Sequence, residues 1–119
     1  RAGLHAEVSV DQSIQRMSPE LQLSLLRIAQ AALANVHQHA NASRVIVDLT
    51  VTDRFVVLTI ADDGHRDGSL GASASDGEDG VGIPSMRHRL IPFGGKVTMN
   101  QAATGTSVRA EIPRSSVGL

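Results

Sequence analysis

The stretch RIAQAALANVHQHA, residues 27–40, is built largely from helix formers, yet it carries Asn35 and His39. With Ala31 set at zero on a helical wheel, Asn35 falls near ~40° and His39 near ~80°. The apolar residues Leu21, Leu25, Ile28, Ala32 and Val36 occupy roughly 60° to 140° of the same wheel. An amide and an imidazole therefore sit on or beside the face that must meet the rest of the molecule. A buried amide without a partner costs about 1–3 kcal/mol, so each polar group there needs a hydrogen-bonding neighbour. That neighbour is either a ligand or the chain itself, through a cap at the helix end or a bond to a nearby loop. His37 points elsewhere on the wheel and is expected in water.

Two further stretches carry groups of this kind. ADDG, residues 61–64, ends a strongly apolar run with two carboxylates. The pair suggests a site, although an Asp-Gly turn is common on structural grounds alone. GVGIPSMRHRL, residues 80–90, puts Gly80 and Gly82 immediately before a short helical stretch. Small residues let a ligand approach the backbone, and a helix N-terminus offers N–H groups to an anion. A lone Gly-x-Gly is weak evidence. It follows no strand, so it is not a dinucleotide fingerprint, and no GxxxxGK[ST] phosphate loop is present.

The elements that must position these groups read as follows. HAEVSV (5–10) alternates Ala6, Val8 and Val10 and predicts a short strand. SPE then opens a helix, with Ser18 as N-cap, Pro19 in the first helical position and Glu20 in the first turn. The helix runs to about Ala40, where NAS ends it. RVIVDLTV (44–51) and FVVLTIAD (55–62) are β-branched runs separated by TDR and predict a hairpin. Residues 62–82, rich in Gly, Ser, Ala and Asp, predict a long mobile loop, a length that is usually functional or disordered. A short helix, IPSMRHRLI, follows. GGKVTM and TSVRAEIP close the chain as two strands, the second with Val108, Ala110 and Ile112 on one face. The predicted class is α+β: a two-layer sandwich in which helices cover one face of a mixed, mostly antiparallel sheet.

The chain has 119 residues, 41% of them apolar, which suits one compact domain spanning 1–119. The apolar runs are strand-length, and nothing resembles a membrane span or signal peptide. The absence of Cys excludes disulfides, thiolate metal sites and a Cys nucleophile, and fits a reducing compartment. A net charge of -1, with no Trp or Tyr and two Phe, gives no nucleic-acid footprint and little for base stacking. The start at Arg1 rather than Met suggests a fragment of a longer protein.

Taken in order, RIAQAALANVHQHANAS, ADDG, GVGIPSMRHRL and TGT (104–106) are far more specific together than apart. From about Leu4 to Pro113 the sequence resembles the ATP-binding domain of sensor histidine kinases. These belong to the gyrase, heat-shock chaperone, histidine kinase and mismatch-repair ATPase (GHKL) superfamily, with its Bergerat fold. It looks closest to the branch typified by nitrate- and membrane-fluidity-responsive sensors. The resemblance implies that Asn35 coordinates Mg²⁺ bridging the phosphates of ATP, a role that suits an amide oxygen. It puts His39 near the phosphates or ribose, and has Asp62 accept a hydrogen bond from the adenine amino group. It has Gly64 let the chain pass close to the base, and Gly80, Val81 and Gly82 flank the phosphates under an ATP lid at about 64–82. Ile83 would line the adenine pocket, and Thr106 would bond near the adenine beside Asp62, through water in one version. The implied partners are ATP, a dimerisation domain bearing the phosphoacceptor histidine, and a response regulator reached through the whole kinase, with no nucleic acid. None of His5, His37, His39, His65 or His88 has the context of a phosphoacceptor. The implied location of the domain is cytoplasmic.

The pattern breaks at Ala31, where the resemblance calls for an acid four residues before Asn35. Gln38 and Arg66 are milder departures. Alanine has no proton-accepting group, and loss of a general base typically costs about 10²- to 10⁴-fold. This leaves room for a nucleotide-binding module with degraded catalysis. An anti-sigma-factor serine kinase, which shares the implied fold, is a further reading. Metal binding by histidines is disfavoured, because His37 and His39 splay by ~200° on a helix. DGHRDG only loosely echoes a calcium loop, since the twelfth position from Asp63 is Ala74 rather than Glu.

Overall fold

The structure is a computed structural model. It describes residues 5–39, 42–64, 77–102 and 105–119, with the backbone alone at 37–39 and 77–83. Among these residues the elements are β1 (His5–Val10), α1 (Pro19–His39), β2 (Arg44–Val51), β3 (Phe55–Asp62), α2 (Gly77–Leu90), β4 (Lys96–Ala102) and β5 (Gly105–Pro113). Short 3-10 turns follow β1, α2 and β5. The strands form one sheet in the order β1-β2-β3-β5-β4. β1 pairs with β2 in parallel and every other pair is antiparallel. The parallel pair needs a crossover connection, and α1 supplies it. No helix among the described residues is long and apolar enough to cross a membrane.

The start of α1 follows from SPE. The Ser18 hydroxyl oxygen accepts from the Leu21 N–H at 3.1 Å, an N-cap that satisfies one of the helix's orphan donors. The apolar arc expected from the sequence is the face that packs: Leu21, Leu25, Ile28, Ala32 and Val36 are all buried. They meet Val45, Val47 and Leu49 of β2, Val56, Leu58 and Ile60 of β3, and Val108, Ala110 and Ile112 of β5 in one cluster. Alternation along each strand puts these residues on the helix-covered side.

β1 forms where predicted, with Val8 66% and Val10 47% exposed. They share a face with Val47 and Leu49, their partners in register, but β1 is the sheet edge and its outer side has no further strand. The second helix begins at Gly77, not at residue 83, so Gly80 and Gly82 lie inside α2 rather than just before it. Glycine costs a helix only about 1 kcal/mol, and burial of Met86 and Leu90 anchors the far end of α2. Pro84 is also accommodated within α2. The loop expected over 62–82 is interrupted at Gly77, where α2 begins, and residues 65–76, for which mobility was expected, lie outside the described residues. β4 begins at Lys96 rather than Gly94, because Gly94 adopts φ 70° in the turn that follows α2.

Candidate functional site

Successive rungs of the sheet change character toward one end. Leu49, Leu58, Ala110 and Val97 align across β2, β3, β5 and β4, and Val47, Ile60, Val108 and Met99 form the next rung on that face. The rung after that is Val45, Asp62, Thr106 and Gln101. The helix-covered face thus turns polar in its two central strands one step beyond the core. The same alternation that buries Ile60 and Val108 aims Asp62 and Thr106 at α1.

Above this rung lies Asn35. It shares a narrow cleft with Ala32, Val36, Ile60, Asp62, Met99, Thr106 and Val108. The cleft holds about 10 Å³, room for about one water molecule. The Asn35 Nδ2 group is shielded from solvent and has no acceptor among the described residues. Such a donor is costly unless something in the cleft accepts from it. The sequence left two partners open for Asn35, a ligand or the protein's own chain, and the described residues do not supply one to Nδ2. Thr106 is buried, at 6% exposure.

The two acids of ADDG have different tasks. Asp62 is half-buried at the end of β3, and its Oδ1 accepts from the Gly64 N–H at 2.8 Å. Asp63 turns the other way and is exposed. Its Oδ1 accepts from the N–H groups of Ser43 and Arg44, each at 3.0 Å, and its Oδ2 from the Ser43 hydroxyl at 2.9 Å. Those donors, the Arg44 N–H first, hold the Asp63 carboxyl below the usual aspartate range. The Asp63 N–H also donates to the Arg44 carbonyl at 3.2 Å. The Asp62–Gly64 bond is the local contact expected of an Asp-Gly turn, and the Asp63 bonds tie that turn to the start of β2.

Gly105 completes this corner. A Cβ there would lie 2.0 Å from the Asp62 carbonyl oxygen, so only glycine fits against the end of β3. The sequence flagged TGT as a motif without assigning Gly105 this contact. It also missed Asp63 as a clamp and Met99 as a wall of the cleft. Val108 two residues before Ala110 signalled which face β5 buries, but the position of Met99 depends on the β4–β5 register, which no local pattern reveals.

The structure brings Asn35, Asp62 and Thr106 together, with Gly64 buried beside them. Ala31 is half-buried and packs against the apolar cluster, one helical turn before Asn35. His39 closes α1, and Gly80, Val81, Gly82 and Ile83 lie in the first half of α2, but their side-chain surroundings are outside the described residues. Among the described residues no group of three or more His, Cys, Asp or Glu could hold a metal ion. Any cation here would need most of its ligands from a bound molecule and water.

No protein-family model matches the chain. Among curated proteins it is 30% identical over 121 aligned positions to the sensor histidine kinase MctS of Rhizobium johnstonii, covering 98% of this chain and 25% of that protein. It is 30% identical over 113 positions to the histidine-protein kinase/phosphatase UhpB of Salmonella typhimurium, covering 95% of this chain and 21% of that protein. The chain thus spans about a quarter of the length of these curated relatives. Among solved structures, the blue-light activated histidine kinase of Erythrobacter litoralis EL346 superimposes with a TM-score of 0.78 at 23% identity, over 95% of this chain and 36% of that one.

Proposed function

We propose, on the premise that this chain is the ATP-binding domain of a sensor histidine kinase, that it binds Mg-ATP and presents the γ-phosphate to a histidine on a dimerisation domain outside it. The observation that carries this reading is the shielded Asn35 amide without an acceptor, set over Asp62 and Thr106 where the apolar face ends. A nucleotide is rich in acceptor atoms and suits a site with a waiting donor. Asp62, fixed at a strand end, takes the hydrogen bond of the adenine amino group. Thr106 binds beside it, and Gly64 leaves room for the base. Gly80, Val81, Gly82 and His39 serve the phosphate side, and Ile83 the adenine side.

The residues also fit Mg²⁺ carried in with the phosphates. Magnesium keeps several waters and takes few protein ligands alongside substrate phosphates, so one amide suffices. The donor left without an acceptor is the Asn35 nitrogen, whereas the metal needs the oxygen, and a half-turn of the amide exchanges them. When bound, the ion neutralises phosphate charge. The protein's part is to orient the nucleotide between α1 and the end of β3. Transfer onward to a response regulator, and a cytoplasmic setting for the domain, complete the proposal.

Ala31 favours a second reading, in which the domain binds nucleotide but turns it over poorly. Its methyl packs against the core and offers no base. Calorimetric titration with Mg-ATP tests the main reading. Asp62→Ala should weaken binding at least about tenfold, about 1.4 kcal/mol, and leave the fold intact. Unchanged affinity in the folded variant would refute the adenine assignment.

A further inference from the structure

Asp63 has no evident role in packing. It is exposed, it follows another acid, and no apolar residue depends on it. Yet its carboxylate collects three donors, from the Ser43 N–H, the Ser43 hydroxyl and the Arg44 N–H, at 2.9–3.0 Å. Its own N–H holds the Arg44 carbonyl. Backbone and side chain of one residue thus grip the start of β2, in the loop that leaves α1. The turn so gripped contains Asp62 and Gly64, which are otherwise tied to each other by the 2.8 Å bond.

We propose that Asp63 is a positioning residue: by clamping the end of β3 to Ser43 and Arg44 it fixes the direction of the Asp62 carboxylate and so sets the preference for an amino-bearing purine. This rests on the reading of Asp62 as the adenine contact. Asp63 touches no nucleotide itself. Its loss leaves every proposed binding group in the chain and frees only the turn that aims one of them. A purely structural role would weaken all ligands alike, whereas a positioning role erodes discrimination at the one atom that Asp62 reads.

The test uses Asp63→Ala, Asp63→Asn and Ser43→Ala in the 119-residue chain. Amide exchange of Gly64 is followed without nucleotide, with Leu58 in mid-β3 as the internal reference. ATP is then titrated against the purine riboside triphosphate that lacks the 6-amino group. In Asp63→Ala the Gly64 amide should exchange at least about tenfold faster while Leu58 is unchanged, and the preference for ATP should fall at least about threefold. Asp63→Asn should retain most of both, because its Oδ1 still accepts the two backbone N–H groups. Ser43→Ala, which removes one donor of three, should shift both readouts in the same direction by less, and it decides the matter if Asp63→Ala does not fold. Unchanged Gly64 exchange, or an unchanged preference in a folded variant whose parent prefers ATP, would overturn the proposal. If the parent chain shows no preference for ATP, the reading of Asp62 fails instead, and Gly64 exchange alone judges Asp63.

Discussion

The two ends of the β3 strand are finished in opposite ways. At its start, the turn from β2 closes on itself. The Thr52 N–H donates to the Phe55 carbonyl at 2.8 Å, and the Thr52 hydroxyl oxygen accepts from the Phe55 N–H at 3.0 Å. Arg114 then seals the turn, its Nη1 donating to the Thr52 carbonyl at 2.9 Å and its N–H to the Arg54 carbonyl at 2.8 Å. At the other end Asp63 is fully engaged, but Asn35 across the cleft keeps a shielded donor with no acceptor. A turn that only has to reverse the chain satisfies its own polar groups. A cleft that leaves one unsatisfied, as the Asn35 amide is among the described residues, carries a stability cost that a bound acceptor would offset.

Three substitutions test how separate these ends are. The largest effect is expected at Gly105→Ala. Its Cβ would meet the Asp62 carbonyl oxygen at 2.0 Å, so the end of β3 must move. We expect a loss of about 3 kcal/mol in stability by denaturant titration, together with weakened nucleotide binding. A variant that is as stable as the parent would mean that this corner is soft, and the contrast with the sealed turn would lapse.

Next is Ala31→Glu, which adds a carboxylate one helical turn before Asn35. If Ala31 stands where a base is missing, ATP turnover at saturating Mg-ATP should rise by up to about 10²-fold, in the chain alone or joined to the proposed phosphoacceptor domain. Nucleotide affinity should fall slightly, since the new charge would repel the phosphates of the proposed ligand. A parent chain already as fast as ordinary kinases, or a glutamate variant that binds ATP and is no faster in either setting, would show that the position is not catalytic.

The smallest effect belongs to the sealed end. Thr52→Ala removes the hydroxyl that accepts from Phe55 and should cost about 1 kcal/mol of stability. Nucleotide affinity, read by the same titration, should not change. A variant that loses affinity in step with stability would show that the two ends act as one.

Much of this was legible in local sequence. The strands at 44–51 and 55–62 and the buried arc of α1 follow from β-branched runs and helical spacing, and each occurs where those patterns put it. Local pattern misled at α2, where a glycine-rich stretch reads as loop although packing of Met86 and Leu90 sustains a helix. At β1 alternation located the strand, but not its place at the edge, because sheet order is not encoded in any single strand. Within the candidate site, type, spacing and resemblance pointed to Asn35, Asp62 and Thr106, which the fold brings to one cleft. Resemblance singled out Asp62, but local context alone does not separate it from Asp63. What distinguishes them is Ser43, far away in the chain and adjacent only after β2 and β3 have paired.

The rung that carries Thr106 is continuous with the rungs that carry Val108, Ala110 and Ile112. A slip of β5 by one residue would turn all four to the opposite side of the sheet at once. Misalignment of Thr106, the proposed nucleotide contact, is therefore inseparable from exposing the core, and a misregistered chain would unfold rather than persist as a folded protein with a faulty site. Cellular quality control that removes unfolded chains would, for this residue, also proofread function.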